Sequence, residues 1–299
     1  MANNLRDLRR KMKSIKSTKQ VTKAMELVAA SKMRRAVQHV QTLRGYATLA
    51  WQILEKIGSG AHAVHPFVSE RPAGRILVVL FTSDRGLCGS LNAHLFRKVQ
   101  QYEASVKELS SFQDIHFVAV GKKGQQFLLR SRRNVVASFP ALSNHPSFRD
   151  VLPIARFAID EFAKGTYDHV VVIHALFLSA LAQEPTAKVL LPLTQTELRR
   201  LATEGDAIPQ EASAEYVFEP SPSAVLDVIL PQLTEIQLYQ AVLESAASEH
   251  SARMVAMRNA SDNAQSFLDD LTLTYNQTRQ AIITSELAEL SGAVAAMSA

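Results

Sequence analysis

The sequence has 299 residues, 47% of them hydrophobic and 20% charged, a balance that belongs to a chain with packed cores and excludes a disordered one. Its single cysteine, Cys88, excludes an internal disulfide and a multi-thiolate metal site and favours a reducing compartment. The net charge of +5 is unevenly placed: residues 1–35 carry eleven cations against Asp7 and Glu26, a local +9, so the remainder sums to −4. Such a segment seeks an acidic partner, and with no run of about 18 apolar residues the chain has nothing to span a bilayer.

From Leu5 to Ile57 the spacing predicts one long helix. It contains no proline, and no glycine before Gly45. Leu5, Leu8, Met12 and Ile15, then Ala29, Met33, Ala36, Val40, Leu43, Ala47, Ala50, Leu54 and Ile57, alternate steps of three and four, which is a heptad seam. Between them the seam positions hold Lys19, Thr22 and Glu26. The apolar Val21, Met25 and Val28 stand one position earlier, so a local shift of the seam is expected there. At its full length the helix would run roughly 80 Å. Gly58-Ser59-Gly60 ends it.

The middle of the chain has another texture. Arg75 to Thr82 is an apolar run suited to a strand buried on both faces. A helical pattern follows from Leu91 to about Leu109, then a strand at Ile115–Val120 and a short helix near Gln125–Arg130. Next come a strand at Val135–Phe139, a helix at Phe148–Ala163 and two strands, Val170–Phe177 and Ala187–Leu191. Strands alternating with helices predict a Rossmann-like α/β domain over 70–205 with a mostly parallel sheet. Residues 204–222, with Pro209, Pro220 and Pro222, are read as a linker.

The last segment, 221–299, repeats the pattern of the first. Pro231 suits the first turn of a helix after a short lead-in helix. The seam runs Ile229, Leu233, Ile236, Gln240, Leu243, Ala247, His250, Met254, Met257, Ser261, Ala264, Leu268, Leu271, Tyr275, Thr278, Ile282. A helix of this length would span on the order of 100 Å. Neither terminal helix is apolar enough all round to be a core helix, and neither seam tolerates water, so the two are expected to pair antiparallel, residues 1–60 with 221–299. The fold class is thus α/β, a long two-helix coiled coil joined to the middle domain. Ala281 to Met297 is small, apolar and nearly uncharged, and should overhang its partner by about 10 residues, or 15 Å.

Candidate sites are few. Ser83-Asp84-Arg85-Gly86-Leu87-Cys88-Gly89 lies between the first strand and its helix, where phosphate-cradling loops occur. It matches neither the dinucleotide fingerprint nor the P-loop, so a tight glycine turn is the plainer reading. Gly121-Lys122-Lys123-Gly124 reads as a solvated turn. His94 is the nearest base to Cys88 in sequence. His62 and His65 lack a third ligand for a metal. No paired carboxylates, Ser-His-Asp set or His-Glu-x-x-His motif is present, and no cofactor is implied. The basic first helix carries its cations all round, which suits a helix enclosed by acidic surfaces better than one lying on a membrane.

Three segments together resemble the gamma subunits of F-type ATP synthases: Ile15 to Met33 (IKSTKQVTKAMELVAASKM), Ser83 to Gly89 (SDRGLCG), and Ala247 to Ala264 (ASEHSARMVAMRNASDNA) continuing to Tyr275–Thr284 (YNQTRQAIIT). The resemblance covers nearly the whole chain in order. It implies a non-catalytic rotor shaft inside a ring of three alpha and three beta subunits, with the α/β domain against an epsilon subunit and the membrane-embedded c-ring. It also implies a place on the cytoplasmic side of a bacterial plasma membrane, peripheral to it. By the same resemblance Lys19, Lys23 and Met25 face an acidic loop of the catalytic subunits, and Arg279 and Gln280 face other catalytic-subunit loops. Ala293, Val294, Ala296 and Met297 form the tip in an apolar bearing. Residues 178–188 depart from the family pattern. Two alternatives stand beside this reading, a dinucleotide-dependent enzyme built on the middle domain and a basic coiled-coil binder of nucleic acid.

Overall fold

The computed structural model describes residues 2–57, 65–69, 71–140, 142, 146–193 and 221–297. Gly58-Ser59-Gly60, His62 and residues 204–220 of the linker lie outside the described residues. The elements are α1 (Ala2–Ile57), β1 (Arg75–Phe81), α2 (Leu91–Lys107), β2 (Asp114–Val120), α3 (Lys122–Arg130), β3 (Val135–Phe139), α4 (Phe148–Ala163), β4 (His169–Phe177), β5 (Gln183–Leu191) and α5 (Pro222–Met297). They form two compact units. Met1–Ala29 with Met254–Ala299 makes a helix-pair unit, and Ala30–Arg253 makes a sheet unit, so both long helices contribute to each.

In the sheet unit the strand order is β3-β2-β1-β4-β5. β1 pairs parallel with β2 and β4, β2 pairs parallel with β3, and β5 runs antiparallel to β4. Because side chains alternate along a strand, the central strands feed two cores. Leu77, Val79, Phe81, Val118, Val170 and Val172 pack with α4 and the first part of α5. Ile76, Val78, Leu80, Phe117, Val171 and Ile173 pack with α2 and Leu128 of α3. This double burial is why β1 reads as an unbroken apolar run.

β5 begins at Gln183, earlier than the expected Ala187, and takes in Pro185. A proline removes a donor, so Gln-Glu-Pro-Thr reads as loop in the sequence. β5 is an edge strand bonded only to β4, and proline is tolerated there.

Pro231 does not open a helix. It lies inside α5, which is continuous from Pro222. The helix survives the lost backbone bond because Leu226, Leu230 and Leu233, on both sides of the proline, are all buried in one core. The expectation that neither terminal helix is a core helix also fails for this stretch. From Ala241 to Ser251 every residue of α5 except Ser245 is buried, including Glu244, Ser248, Glu249, His250 and Ser251. Sequence periodicity marks one apolar stripe here, while the sheet unit covers the helix on nearly all sides.

In the helix-pair unit α1 and α5 run antiparallel. Arg9 donates to the Tyr275 hydroxyl, with Nε at 2.9 Å, and its guanidinium lies 5.3 Å from the ring centre. Lys19 donates to Gln265 Oε1. Ten residues along one helix thus match ten along the other, and the register holds without slip. Leu8 and Ala29 of α1 and Met257, Ser261 and Ala264 of α5 are buried in this unit, at the expected seam positions.

Candidate functional site

The residues singled out in the sequence fall on the surface of the helix-pair unit. The expected seam shift around Val21 does not occur. Val21 and Val28 are 56% and 55% exposed, whereas Lys19, Thr22 and Glu26 are half-buried at the heptad positions. Small residues on α5 explain it: Ser261 and Ala264 leave room for the aliphatic stem of Lys19, whose ammonium reaches Gln265, so a polar side chain can fill the seam. The valines displaced from the seam turn outward with Leu27, itself 62% exposed. Val21 and Val28 stand at i and i+7 on one outer stripe near Lys23, and Met25, at i+4 between them, is half-buried.

Lys23 pairs with Glu26 at 2.9 Å on its own helix. Arg10 lies 4.0 Å from Asp7, also on its own helix. Lys11, Lys13 and Lys16 are exposed, and no ion pair is recorded for them among the described residues. An exposed i,i+3 pair contributes little, so the positive field of α1 is left largely uncompensated.

Arg279 and Gln280 are exposed on α5. By the observed register they stand near Leu5, about 27 Å along the helix from the level of Lys23. These residues therefore make separate stations along one helix pair, not a single cluster. Past the level of Ala2, α5 continues alone to Met297, for about 22 Å, which is longer than expected. Ile283, Leu287, Leu290, Val294 and Met297 recur there at steps of four and three and are 46%, 59%, 64%, 67% and 90% exposed. Ala293 and Ala296 are exposed beside them. An apolar stripe of this length open to water marks a surface that another protein covers. Ile283, Leu287 and Leu290 belong to the apolar overhang read from the sequence, and their heptad spacing is offset from the inner seam.

The loop after β1 has another role. Ser83, Cys88 and Asn92 bond to one another: Asn92 Nδ2 donates to Ser83 Oγ at 2.7 Å and to Cys88 Sγ at 3.3 Å. The amides that open α3 are already engaged, Lys122 N with Asp84 Oδ1 at 2.9 Å, Lys123 N with the Ser83 carbonyl at 3.1 Å and Gly124 N with Thr82 Oγ1 at 2.8 Å. The Asp84 carboxylate thus sits where a phosphate would bind. Gly121 is required at the same corner: its φ is +100°, and a Cβ would lie 2.2 Å from the Thr82 carbonyl oxygen. The crevice at the carboxyl ends of β1 and β4, lined by Thr82, Ser83, Ala175, Ser245 and Glu249, has room for one or two waters. Among the described residues the SDRGLCG run forms a structural corner between β1, α2 and the start of α3.

Comparison with known proteins agrees with the arrangement. A family model described as ATP synthase matches residues 4–297. A relative named ATP synthase gamma chain from Roseiflexus castenholzii is 41% identical over 295 residues, covering 98% of each chain. One of the same name from Opitutus terrae is 42% identical over 294 residues, covering 96% of this chain and 97% of its own. Among solved structures, a chain from the central stalk and c-ring of Tetrahymena thermophila mitochondrial ATP synthase is similar with a TM-score of 0.60 at 28% identity, covering 81% of this chain and 99% of its own. A chain of the Euglena gracilis mitochondrial ATP synthase shares the fold with a TM-score of 0.67 at 21% identity, covering 99% of this chain and 95% of its own.

Proposed function

The chain belongs to the ATP synthase gamma-chain family, and on that premise we propose that it is the central rotor shaft of an F1Fo complex. It couples ion-driven rotation of a membrane ring to ATP synthesis or hydrolysis on other subunits and performs no catalysis itself. The observation that carries the reading is the outer surface of the helix-pair unit. It combines exposed cations with apolar stripes that only an enclosing protein would cover. Three alpha and three beta subunits enclose it, while the α/β segment 70–205 meets the epsilon subunit and the c-ring. Residues 1–60 and 221–299 act as the two arms of the shaft. No helix among the described residues is long and apolar enough to cross a membrane. As part of such a complex the chain is held at the cytoplasmic face of a bacterial plasma membrane.

Lys19, Lys23 and Met25 meet an acidic loop of the beta subunits, with Val21 and Val28 beside them. Charge attraction of this kind is tolerant of direction, as a turning contact requires. Arg279 and Gln280 meet other beta-subunit loops, and Ala293, Val294, Ala296 and Met297 turn in an apolar bearing. The mechanism is differential contact. At each angle the asymmetric shaft favours one beta-subunit conformation over the others and so shifts its nucleotide affinity.

The test is native mass spectrometry of this chain co-expressed with the alpha and beta subunits of its source. One copy per ring, with ATP hydrolysis that depends on the chain, is the expected result. A folded chain that joins no ring would overturn the reading. Replacing Arg279 and Gln280 together by alanine should lower torque or assembly while the stability of the isolated chain changes by no more than about 0.5 kcal/mol, because both are exposed. Global unfolding of that variant would refute their assigned role.

A further inference from the structure

Within the sheet unit, the fully buried stretch of α5 presents a polar stripe to β4 and the turn after it. Gln240, Glu244, Ser248 and Ser251 recur at steps of four, four and three, so they share one side of the helix. Gln240 Nε2 donates to Glu244 Oε1 at 2.9 Å, and Glu244 Oε2 lies 2.9 Å from His174 Nε2 on β4. Ser248 Oγ donates to the Ala175 carbonyl at 2.9 Å. Ser251 Oγ donates to the Ala180 carbonyl at 2.5 Å, and Gln183 Nε2 donates to the same carbonyl at 3.3 Å and to Ser251 Oγ at 3.4 Å. Elsewhere on this part of α5, Leu238, Ala241 and Val242 lie in the core beneath the sheet, Ala246 and Ala247 pack on Ala36, and the buried Glu249 accepts from Arg253 of its own helix at 2.6 Å.

The two kinds of contact resist different motions. Apolar burial holds the helix down, but its energy follows area and hardly changes when the helix rolls by a few degrees. Hydrogen bonds weaken steeply with angle, and a buried group pulled off its partner is left unsatisfied. Polar groups at three successive turns, each tied to a different anchor on the sheet, therefore fix the azimuth of the helix.

We propose that the stripe Gln240, Glu244, Ser248 and Ser251 is the grip that stops α5 turning about its own axis in the sheet unit. Torque delivered to the sheet unit then enters the helix without slip and passes along it toward Met297. The inference rests on the rotor reading above and names the residues that carry its torque.

The experiment uses the assembled complex, stalled at one angle, with a bead fixed to the sheet unit and its angular fluctuation recorded. In the Ser248→Ala/Ser251→Ala variant the angular variance should rise roughly twofold, because bonds that restore the azimuth are gone. Hydrolysis by the catalytic ring should be unchanged. Val242→Ala is the control: it loosens the apolar bed and lowers the melting temperature without widening the fluctuation. If the double variant does not assemble, Ser248→Ala and Glu244→Gln are measured singly, each with a smaller broadening expected. An unchanged variance in folded, assembled variants overturns the grip. Failure of the unaltered chain to join the ring overturns the rotor reading, and the grip with it.

Discussion

Helix α5 lives in two environments. Between Ala241 and Ser251 it is buried on nearly every side, and Glu244, Ser248 and Ser251 bond to β4 and the turn after it, whereas from Asp262 onward one stripe is covered and the rest faces outward. In the first region sequence and packing are mutually determined: alanines where α1 approaches, serines where carbonyls wait, a glutamate opposite a histidine. In the second, only the seam is determined by the chain itself. The exposed Leu273, Leu287, Leu290 and Val294 there do not pack in the single chain, and their apolar character points to an enclosing partner. Structure-bearing and partner-bearing residues are thus separated along one continuous helix.

The sharpest test of this contrast compares two phenylalanines. Phe162 is fully buried under the sheet, and Phe162→Ala should destabilise the sheet unit by about 3–5 kcal/mol in a denaturant titration, through lost burial and a residual cavity. Phe267 is 62% exposed, and Phe267→Ala should change stability by no more than about 0.5 kcal/mol. Similar losses at both sites would erase the distinction.

An intermediate effect should come from pH. Burial pushes the Glu244 carboxyl up, but the hydrogen bond and charge of His174, the hydrogen bond of Gln240 and the charge of Lys188 outweigh it, leaving the group below its ordinary 4.5. A depressed carboxyl contributes stability that is complete above the unfolded-state value and is lost as pH falls through the folded-state one. The sheet unit should therefore lose stability on acidification below about pH 4.5, and Glu244→Gln should flatten that slope. An unchanged slope in the variant would show that other groups govern acid unfolding.

The smallest effect is expected in the helix pair. Tyr275→Phe removes the oxygen that receives Arg9 but keeps the ring beneath its guanidinium. The loss should be about 0.5–1 kcal/mol, because the contact is exposed to water. Amide exchange near Arg9 would rise accordingly, with none in β1.

Much of the fold was legible because both periodicities are strong. The inner strands read as apolar runs, and the two terminal seams read as heptads. What escaped the sequence has physical causes. Pro185 and Pro231 look like breakers, but an edge strand and a doubly anchored helix accommodate them. The polar seam residues Lys19 and Glu26 look like a slip, but small residues opposite make room for them. The buried Glu244 could not be told from a solvated one until His174 was placed beside it. The contact roles proposed for Lys19, Lys23, Met25, Arg279 and Gln280 come only through resemblance, since a charge on a helix face does not by itself name what meets it.

A rotor shaft must turn inside its ring. The direct measurement is single-molecule rotation of the reconstituted catalytic complex, with the alpha and beta subunits fixed to glass and a bead on the sheet unit. Unidirectional rotation on adding ATP, with as many evenly spaced pauses per turn as there are catalytic subunits, is the predicted result. A complex that hydrolyses ATP at the full rate while the bead stays still would contradict it.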